Sequence, residues 1–482
     1  MDSDTDSDTV MDWDNTRGPA YDVREDFVMT MKKLADRISD AAETWDRHYE
    51  GVDIEGFHRN LSVPILRPQM PGRVCKAKEE LIDSAFKIIE LAAGPSGMIA
   101  IAISQVNAIM LPRNPRRAKE LSMPGANVSL QVHFIGALKW LLDFKIFDRI
   151  PERDVMPYDS LADEANVPVS ELKRMLRVAM ANHFFHEVDG KAVCHNRFSW
   201  KLPRDGDVIH GLPFFCDTVM PAIGKMVDRT TEWQVSGSEE DYDTARNVAF
   251  DDNLGFDEFL AQTGEAHGYS RLMSLLSSSR SLPSTCLAEV AHGTIDWYFL
   301  RKGALIVDLD SRSSWSWELA ELFPHLRFHV HAHLNTINNM RDYVKNNNPD
   351  LLNRIEFRSL NQAIDRSAEV YLLSGLTHRR TDKEMTEALT NICHHGMNFD
   401  SRIIVIEPVL PKRGWSTMAL EKISQCRNIT MWQLQNSGER TLEELEMLAK
   451  GISEDFFIES HTRRPNSTVT TVVFRLFNRV IE

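Results

Sequence analysis

The stretch that decides the fold is "ALIVDLDSRSSWSWELAELFPHLRFHV", residues Ala304–Val330. It contains an apolar run, a short turn, a segment with apolar residues at helical spacing and a second apolar run. This order predicts a strand, a turn, a helix and a parallel strand, the unit with which nucleotide-binding α/β domains begin. Such a turn is normally rich in glycine, whereas residues 310–314, "DSRSS", contain none. The sequence therefore indicates a ligand-binding frame whose turn has unusual chemistry.

Strands and helices continue to alternate from residue 302 to residue 482. We predict from this alternation an α/β, Rossmann-like domain with a mostly parallel sheet, in which the last strand can run antiparallel. The candidate strands are Ala304–Leu309, Arg327–His331, Ile355–Arg358, Val370–Leu373, Ile403–Glu407 and Val469–Phe477.

The residues before this domain have a different organisation. Residues 1–24 alternate acids with Ser and Thr, and we predict that they form a disordered acidic tail. We expect a helix and linker at 25–72, a helical and winged-helix domain at 73–210, and a helical connector at 211–301.

A winged helix is indicated after residue 129, where a helix, a short helix and a longer helix precede a hairpin. Asp189-Gly190 is a typical sequence for the hairpin turn. The longer helix has a weak positive bias, and neither Asn nor Gln stands near its start to contact bases. This pattern weighs against direct DNA binding. The charged residues of the helix are Glu171, Lys173, Arg174 and Arg177.

The composition limits the class of protein. The chain has 482 residues, 43% of them hydrophobic, and a formal net charge of -15, which weighs against nucleic-acid binding by the whole surface. Its six cysteines form no CxxC pair, which indicates reduced thiols and a cytoplasmic or nuclear location. No apolar run is long enough to span a membrane, so no membrane association is expected.

Several stretches together resemble a known family. They are "MLRVAMANHFFHEVDGKAVCHNRFS", "AEVYLLSGLTHRRTDKEMTEALTNI", "RIIVIEPVLP" and "ITMWQLQNSGERTLEEL", with the stretch quoted first. The chain resembles, from Arg73 to Asn478, the fungal O-methyltransferases of polyketide and other secondary metabolism, which use S-adenosylmethionine. The resemblance implies an α/β Rossmann-like methyltransferase domain preceded by an all-α/winged-helix dimerisation domain, and a homodimer.

The resemblance also implies a degenerate cofactor site. The family's turn glycines fall on Asp310, Ser311, Arg312 and Ser314. Ala332 stands where the family has the acid that binds the ribose hydroxyls, and Asn361 stands where the family has an Asp near the adenine. Arg379 and Arg380 stand where the family has Asp-Trp after its histidine. No cofactor is therefore expected, and S-adenosylmethionine is expected only if the site still functions.

By the same resemblance, this sequence keeps the family's catalytic residues. His378 falls on the histidine that takes a proton from the substrate hydroxyl, and Glu407 and Glu439 fall on the two glutamates that orient it. This chemistry needs a neutral imidazole whose other nitrogen is bonded to a carboxylate. The alternative is that the two glutamates are structural, one at the end of a strand and one near the start of a helix.

Two histidine-containing clusters raise the question of a metal site. His329, His331 and His333 alternate and would share one face of a strand, as zinc ligands can. No fourth ligand is evident and the predicted sheet is covered on both sides, so we interpret them as structural. Cys393, His394 and His395 are adjacent, which is poor spacing for a single metal. No metal site is predicted.

Three functions remain open. The first is a non-methylating accessory protein, similar to the aflatoxin pathway co-activator, whose partner would be a pathway-specific transcription factor. The second is a repurposed enzyme, such as a cyclase, dehydratase or pericyclase, that uses His378 as acid/base on an aromatic or polyketide molecule. The third is a genuine O-methyltransferase with an unusual cofactor site.

Overall fold

The computed structural model describes residues 31–48, 72–107, 126–232, 240, 242–276, 295–309, 315–332, 334–359, 362, 368–374, 380–395, 397, 400–412, 414, 417–463 and 469–476. The chain divides into two compact units. The first comprises residues 1–98 and 115–205, and the second comprises residues 99–114 and 206–482. The acidic tail predicted at 1–24 lies outside the described residues.

The first unit contains helices and a small antiparallel sheet of order β1-β3-β2. Its strands are β1 Met156–Pro157, β2 His186–Val188 and β3 Ala192–Cys194. Its helices are α1 Met31–His48, α2 Gly72–Asn107, which continues into the second unit, α3 Ala126–Asp143, α4 Ile146–Arg149, α5 Tyr158–Ala165, α6 Val169–Ala181 and α7 Arg197–Lys201.

The elements that the winged-helix interpretation requires are present. Helices α3, α5 and α6 precede the hairpin of β2 and β3, and Leu172 and Leu176 of α6 are fully buried. The turn residues Asp189 and Gly190 have φ angles of 52° and 66°. Positive φ at both central residues is the geometry that an Asp-Gly hairpin turn favours.

The second unit begins with a helical region. Its helices are α8 Gly206–Phe214, α9 Met220–Gly224, α10 Met226–Glu232, α11 Ala245–Phe250, α12 Phe256–Thr263 and α13 Ala266–Leu275, with a π-helical turn at Phe215–Val219. Helices α8 and α13 approach so closely that a Cβ added at Gly211 would lie 2.7 Å from the backbone nitrogen of Leu272. Glycine at this position therefore sets the distance between the two helices.

A seven-stranded sheet forms the rest of the second unit, in the order β6-β5-β4-β7-β8-β10-β9. Strands β4 to β8 are parallel, and β10 is antiparallel to β8 and β9. The strands are β4 Leu305–Leu309, β5 Arg327–Ala332, β6 Ile355–Ser359, β7 Val370–Ser374, β8 Arg402–Pro408, β9 Phe456–Arg463 and β10 Val469–Leu476. The helices are α14 Trp315–Leu322, α15 Leu334–Asn347, α16 Asp382–His395, α17 Met418–Gln435 and α18 Leu442–Ile452.

The prediction of a mostly parallel sheet with an antiparallel last strand is confirmed. The sequence prediction missed β9, "FFIESHTR". This strand lies at the edge of the sheet, where half-exposed polar positions weaken the apolar pattern by which a strand is recognised.

Each face of the sheet packs on its own apolar core, one including Phe328 and Val330 and the other including Tyr371 and Leu373.

Candidate functional site

The candidate site lies at the carboxyl ends of the parallel strands, where open α/β sheets bind ligands. Leu309, the last residue of β4, is paired with His331 of β5. Ala332 ends β5 one residue later and is paired with Ser359, the last residue of β6. The structure therefore places Ala332 beside the strand that leads into the turn at 310–314.

Ala332 is fully buried, with none of its surface exposed to solvent. Its methyl group accepts no hydrogen bond, whereas a carboxylate at the end of this strand could accept bonds from both hydroxyls of a ribose. The end of β5 therefore does not fit the ribose of S-adenosylmethionine.

Asp308 is the acid of β4 nearest to the turn, and it is almost completely buried. The hydroxyl of Ser316, the second residue of α14, donates a hydrogen bond to Asp308 Oδ2. This bond ties the end of β4 to the start of the following helix. The carboxylate is thus engaged by the chain itself.

Other residues of the predicted site lie outside the described residues. They are Asp310, Ser311, Arg312, Ser314, Asn361, His378 and Arg379. Their predicted roles stay predictions.

Glu407 is buried near the end of β8 and is paired with Thr470 of β10. Strand β7, whose continuation along the chain carries His378, is the parallel neighbour of β8 on the other side. The carboxyl ends of β7 and β8 therefore lie at the same edge of the sheet, and the role of His378, which lies outside the described residues, stays a prediction.

Glu439 has a partner that the sequence did not indicate. Its two carboxylate oxygens accept hydrogen bonds from Arg427 of α17, one from Nε and one from Nη2 at 3.0 Å. Both side chains are at most 4% exposed. Its own backbone N–H donates to Asn428 Oδ1 at 2.7 Å. The structure thus places Glu439 in a buried ion pair, which favours the structural alternative for this residue.

Arg440, the next residue, holds the start of α16. Its Nε donates to Asp382 Oδ1 at 2.8 Å, and its Nη2 donates to the carbonyl oxygen of Arg380 at 2.8 Å. Arg380 is the second residue of the pair that departs from the family pattern. The sequence did not single out Arg427 or Arg440. Arg427 contacts a residue beyond the end of its own helix, and Arg440 contacts a segment that is distant in the chain.

The structure describes two of the three alternating histidines. His329 Nε2 lies 3.2 Å from Glu356 Oε2 on the neighbouring strand, and His331 is almost completely buried. His333 lies outside the described residues. Within the described part of the chain, no group of three or more His, Cys, Asp and Glu side chains is placed to hold a metal ion. Burial raises the pKa of the Cys393 thiol, which disfavours the thiolate that a metal would need.

The charged residues of α6 are partly engaged within the first unit. Arg177 forms an ion pair with Glu187 of β2 at 3.1 Å, and Lys173 lies 4.9 Å from the ring centre of Tyr158. The hydroxyl of Tyr158 donates to Glu187 Oε1 at 2.7 Å, and this bond, with Arg177, lowers the pKa of Glu187. These contacts reduce the positive charge that α6 could offer to phosphates.

None of the helices in the described part of the chain combines the length and the apolar character needed to cross a membrane.

Comparison with known proteins identifies the family. No protein-family model matches the chain. Over 451 residues it is 30% identical to O-methyltransferase aunD of Aspergillus niger, an alignment that covers 92% of this chain and 97% of the relative. The chain belongs to the O-methyltransferase family of fungal secondary metabolism. Within this family it is also 28% identical over 397 residues to O-methyltransferase pgmB of Aspergillus terreus, with coverage of 81% and 82%.

Solved structures show the same fold for this O-methyltransferase-family chain. OxaC in complex with sinefungin and meleagrin has a TM-score of 0.61 at 16% identity and covers 93% of this chain and 99% of its own. LepI in complex with SAM has a TM-score of 0.59 at 18% identity, with coverage of 84% and 100%. The predicted fold class, a Rossmann-like methyltransferase domain preceded by a helical region, is confirmed.

Proposed function

We propose that this chain is a non-methylating member of the fungal O-methyltransferase family and serves a secondary-metabolite pathway as an accessory protein, a pathway-specific transcriptional co-activator. The observation that carries the proposal is the fully buried Ala332 at the end of β5. A family member that transfers methyl groups needs a carboxylate at this position, as the resemblance implies.

The loss of that carboxylate can be expressed as a loss of binding free energy for the cofactor. A hydrogen bond to a charged group contributes about 1.5–3 kcal/mol, so the loss of one weakens binding by roughly 10–150-fold. The sequence adds four side chains in place of turn glycines, at Asp310, Ser311, Arg312 and Ser314. Asp310 would add a negative charge beside the carboxylate of the cofactor. These departures act in the same direction and support a protein that does not bind the methyl donor.

Calorimetry on the full chain tests the proposal. We expect no measurable heat of binding with S-adenosylmethionine or S-adenosylhomocysteine. A matched variant restores the family pattern by Ala332→Asp together with glycine at Asp310, Ser311, Arg312 and Ser314. Binding by that variant alone would show that the rest of the frame is competent. Micromolar affinity of the unmodified chain would overturn the proposal and support the genuine methyltransferase.

Gene deletion separates the co-activator from an enzyme. Deletion of a co-activator lowers the transcripts of the whole gene cluster, whereas deletion of an enzyme leaves the transcripts and accumulates one intermediate. Unchanged transcripts would therefore overturn the co-activator role.

The expected homodimer and the transcription-factor partner belong to this proposal. The mass of the purified protein in solution checks the homodimer, and co-purification with the cluster's own regulator checks the partner.

A second candidate is a repurposed enzyme that acts without a methyl donor. It is favoured by Glu407, which is buried at the end of the strand adjacent to the one that leads to His378. A structure described as a pericyclic reaction enzyme shares the fold, with a TM-score of 0.59. In this candidate His378 would accept or donate the proton and Glu407 would orient it. The variant His378→Ala would then abolish one product in the producing fungus and leave cluster transcripts unchanged.

A further inference from the structure

Two packed helices of the second unit carry the same pair of residues at their contact. Helix α8 contains His210-Gly211, and helix α13 contains His267-Gly268. A Cβ added at Gly211 would touch the backbone of α13, and one added at Gly268 would lie 3.1 Å from Phe214 Cβ of α8. Glycine in both helices therefore permits a close approach, and it brings the histidine next to each glycine to the same contact.

The two imidazole rings meet at this contact. Their centres are 4.5 Å apart, and their planes are inclined by 69°. A metal ion bound at about 2.0–2.1 Å to one nitrogen of each ring requires ring centres about 4.5–5.3 Å apart, for bond angles at the ion of about 90–110°. The observed separation of His210 and His267 therefore already lies in the range for two imidazoles on one ion.

The ring nitrogens of this pair are not used elsewhere. His210 and His267 are exposed, and neither ring forms a hydrogen bond or an ion pair with another residue in the described part of the chain. Structural histidines of the same protein behave differently. The rings of His195 and His325 each approach a backbone carbonyl oxygen, at 3.0 and 3.2 Å. The pair at the helix contact can therefore turn its nitrogens towards a shared ion without breaking a bond.

The charges near the contact suit a cation. Glu265, the residue before α13, extends its carboxylate between the two helices: Oε2 lies 2.7 Å, and the His210 carbonyl oxygen 3.4 Å, from the position of a Cβ on Gly268. No side chain that the structure describes pairs with this carboxylate. Arg271, one helical turn after His267, is paired with Asp207 of α8 at 3.3 Å. The positive charge of α13 is thus balanced, whereas the carboxylate is not.

We propose that His210 and His267 together bind a divalent transition-metal ion, zinc or copper(II), and thereby link α8 to α13. Imidazole is a suitable ligand for both ions. The two rings and the Glu265 carboxylate do not form a group of three ligands around one point, so water completes the coordination sphere. Two protein ligands are fewer than the three of a catalytic zinc site. The site therefore stabilises the contact of the two helices and is not a second active centre.

Calorimetry on the untagged full chain tests the site, with copper(II) chloride and zinc chloride as probes. Copper(II) should bind more tightly than zinc, as it does at most nitrogen sites. We expect His210→Gln and His267→Gln each to weaken copper(II) binding by at least about tenfold, because each removes one of the two imidazoles. The matched control is His461→Gln, an exposed histidine of β9, which should keep the full affinity. Magnesium prefers oxygen ligands and should not compete.

Two further measurements report on the ligands themselves. The electron paramagnetic resonance spectrum of bound copper(II) should show hyperfine splitting from two imidazole nitrogens, and from one in either single variant. Zinc should raise the midpoint of thermal unfolding of the unmodified chain but not of the variants, since an ion that binds only the folded state stabilises it. Both effects should be lost in acid, because a protonated imidazole cannot bind a metal.

Several outcomes would overturn the metal site. An unmodified chain that binds neither ion at micromolar concentration would show that the two rings only pack against each other. Full copper(II) affinity in His210→Gln, or an equal loss in His461→Gln, would do the same. Without metal the variants should unfold at the temperature of the unmodified chain, because both side chains are exposed. The test with S-adenosylmethionine is independent: if that cofactor binds while copper(II) binding still depends on His210, the proposed function fails and the metal site stands.

Discussion

Glu439 and Arg427 form a buried bidentate ion pair that joins the turn before α18 to the middle of α17. Arg427 also donates to the carbonyl oxygen of Leu276, the residue that follows α13, at 3.1 Å. A glutamate that the family resemblance assigns to catalysis is therefore bonded on both oxygens to an arginine of its own chain. A buried pair of this kind is sensitive to the loss of either partner.

Removal of one partner of this pair should destabilise the second unit strongly. We expect Glu439→Gln to lower the free energy of unfolding by about 3–5 kcal/mol, because Arg427 would keep a buried charge without its counterion. Urea denaturation measures the loss. The exposed pair of Lys450 and Glu446 on α18 is the control, and Lys450→Ala should cost less than about 1 kcal/mol. Similar losses in both variants would contradict the role of burial.

The close approach of α8 and α13 predicts a second effect. Gly211→Ala places a Cβ 2.7 Å from a backbone nitrogen of Leu272, and the backbone can relieve this contact only if the helices separate. We expect a loss of about 1–3 kcal/mol in the free energy of unfolding. The matched control is Gly451→Ala in α18, where nothing lies within 4 Å of the added Cβ. That variant should be neutral or slightly more stable, since alanine has the higher helix propensity.

His195 should make the first unit sensitive to acid. Its Nε2 lies 3.0 Å from the carbonyl of Phe147 and must donate to it, so Nδ1, 3.0 Å from Ser199 Oγ, is the acceptor. Burial lowers the pKa of His195 below its ordinary value near 6.5. The unfolded chain therefore binds a proton before the folded chain does, and stability falls as the pH drops below about 6.5.

The measurement for His195 is the free energy of unfolding at about pH 7.5 and about pH 5.5, for the unmodified chain and for His195→Gln. The unmodified chain should lose more stability between the two values than the variant does. The same variant should be less stable at neutral pH, because the glutamine cannot reproduce both ring contacts. An equal pH dependence of the two proteins would show that His195 does not carry the effect.

Ala332 gives a prediction for the protein without ligand. Ala332→Asp puts a carboxylate into a fully buried position. We expect it to lower the free energy of unfolding by more than about 1–3 kcal/mol, which is the cost of an unsatisfied neutral polar group, because a charged group costs more. Ala332→Ser introduces a polar group without a charge and should cost less. Thermal denaturation compares the two variants. A fully stable aspartate variant would mean that the end of β5 still accommodates the acid that the family places there.

The strands of the α/β domain were largely predictable from the sequence. Each of the six predicted strands differs from the observed one by at most one residue at either end. Runs such as Ala304–Leu309 are apolar because both faces of the sheet are covered, so their pattern survives in the sequence alone. Strand β9 was missed because an edge strand with polar, half-exposed positions lacks that pattern.

The candidate site was predictable in a different way. The absence of glycine at 310–314 and the alanine at the end of β5 are properties of single positions, and the chain order alone reveals them. The partners of Glu439 and Arg440 could not be predicted from the sequence. Arg427 lies 12 residues from Glu439 on the preceding helix, and Arg380 lies 60 residues from Arg440. Sequence spacing carries no information about which of several arginines meets a given carboxylate.

By itself the sequence determined the α/β unit, because apolar runs depend on local order and side-chain type, and the family resemblance added the prediction of a changed cofactor turn. Only the tertiary structure decided that Glu439 is bonded to Arg427, that Ser316 binds Asp308, and that Tyr298 and Phe299 face solvent. The physical reason is that ion pairing and exposure depend on which distant segments the folded chain brings together. Packing therefore showed that the carboxylates of Glu439 and Asp308 are already engaged by other residues of the chain.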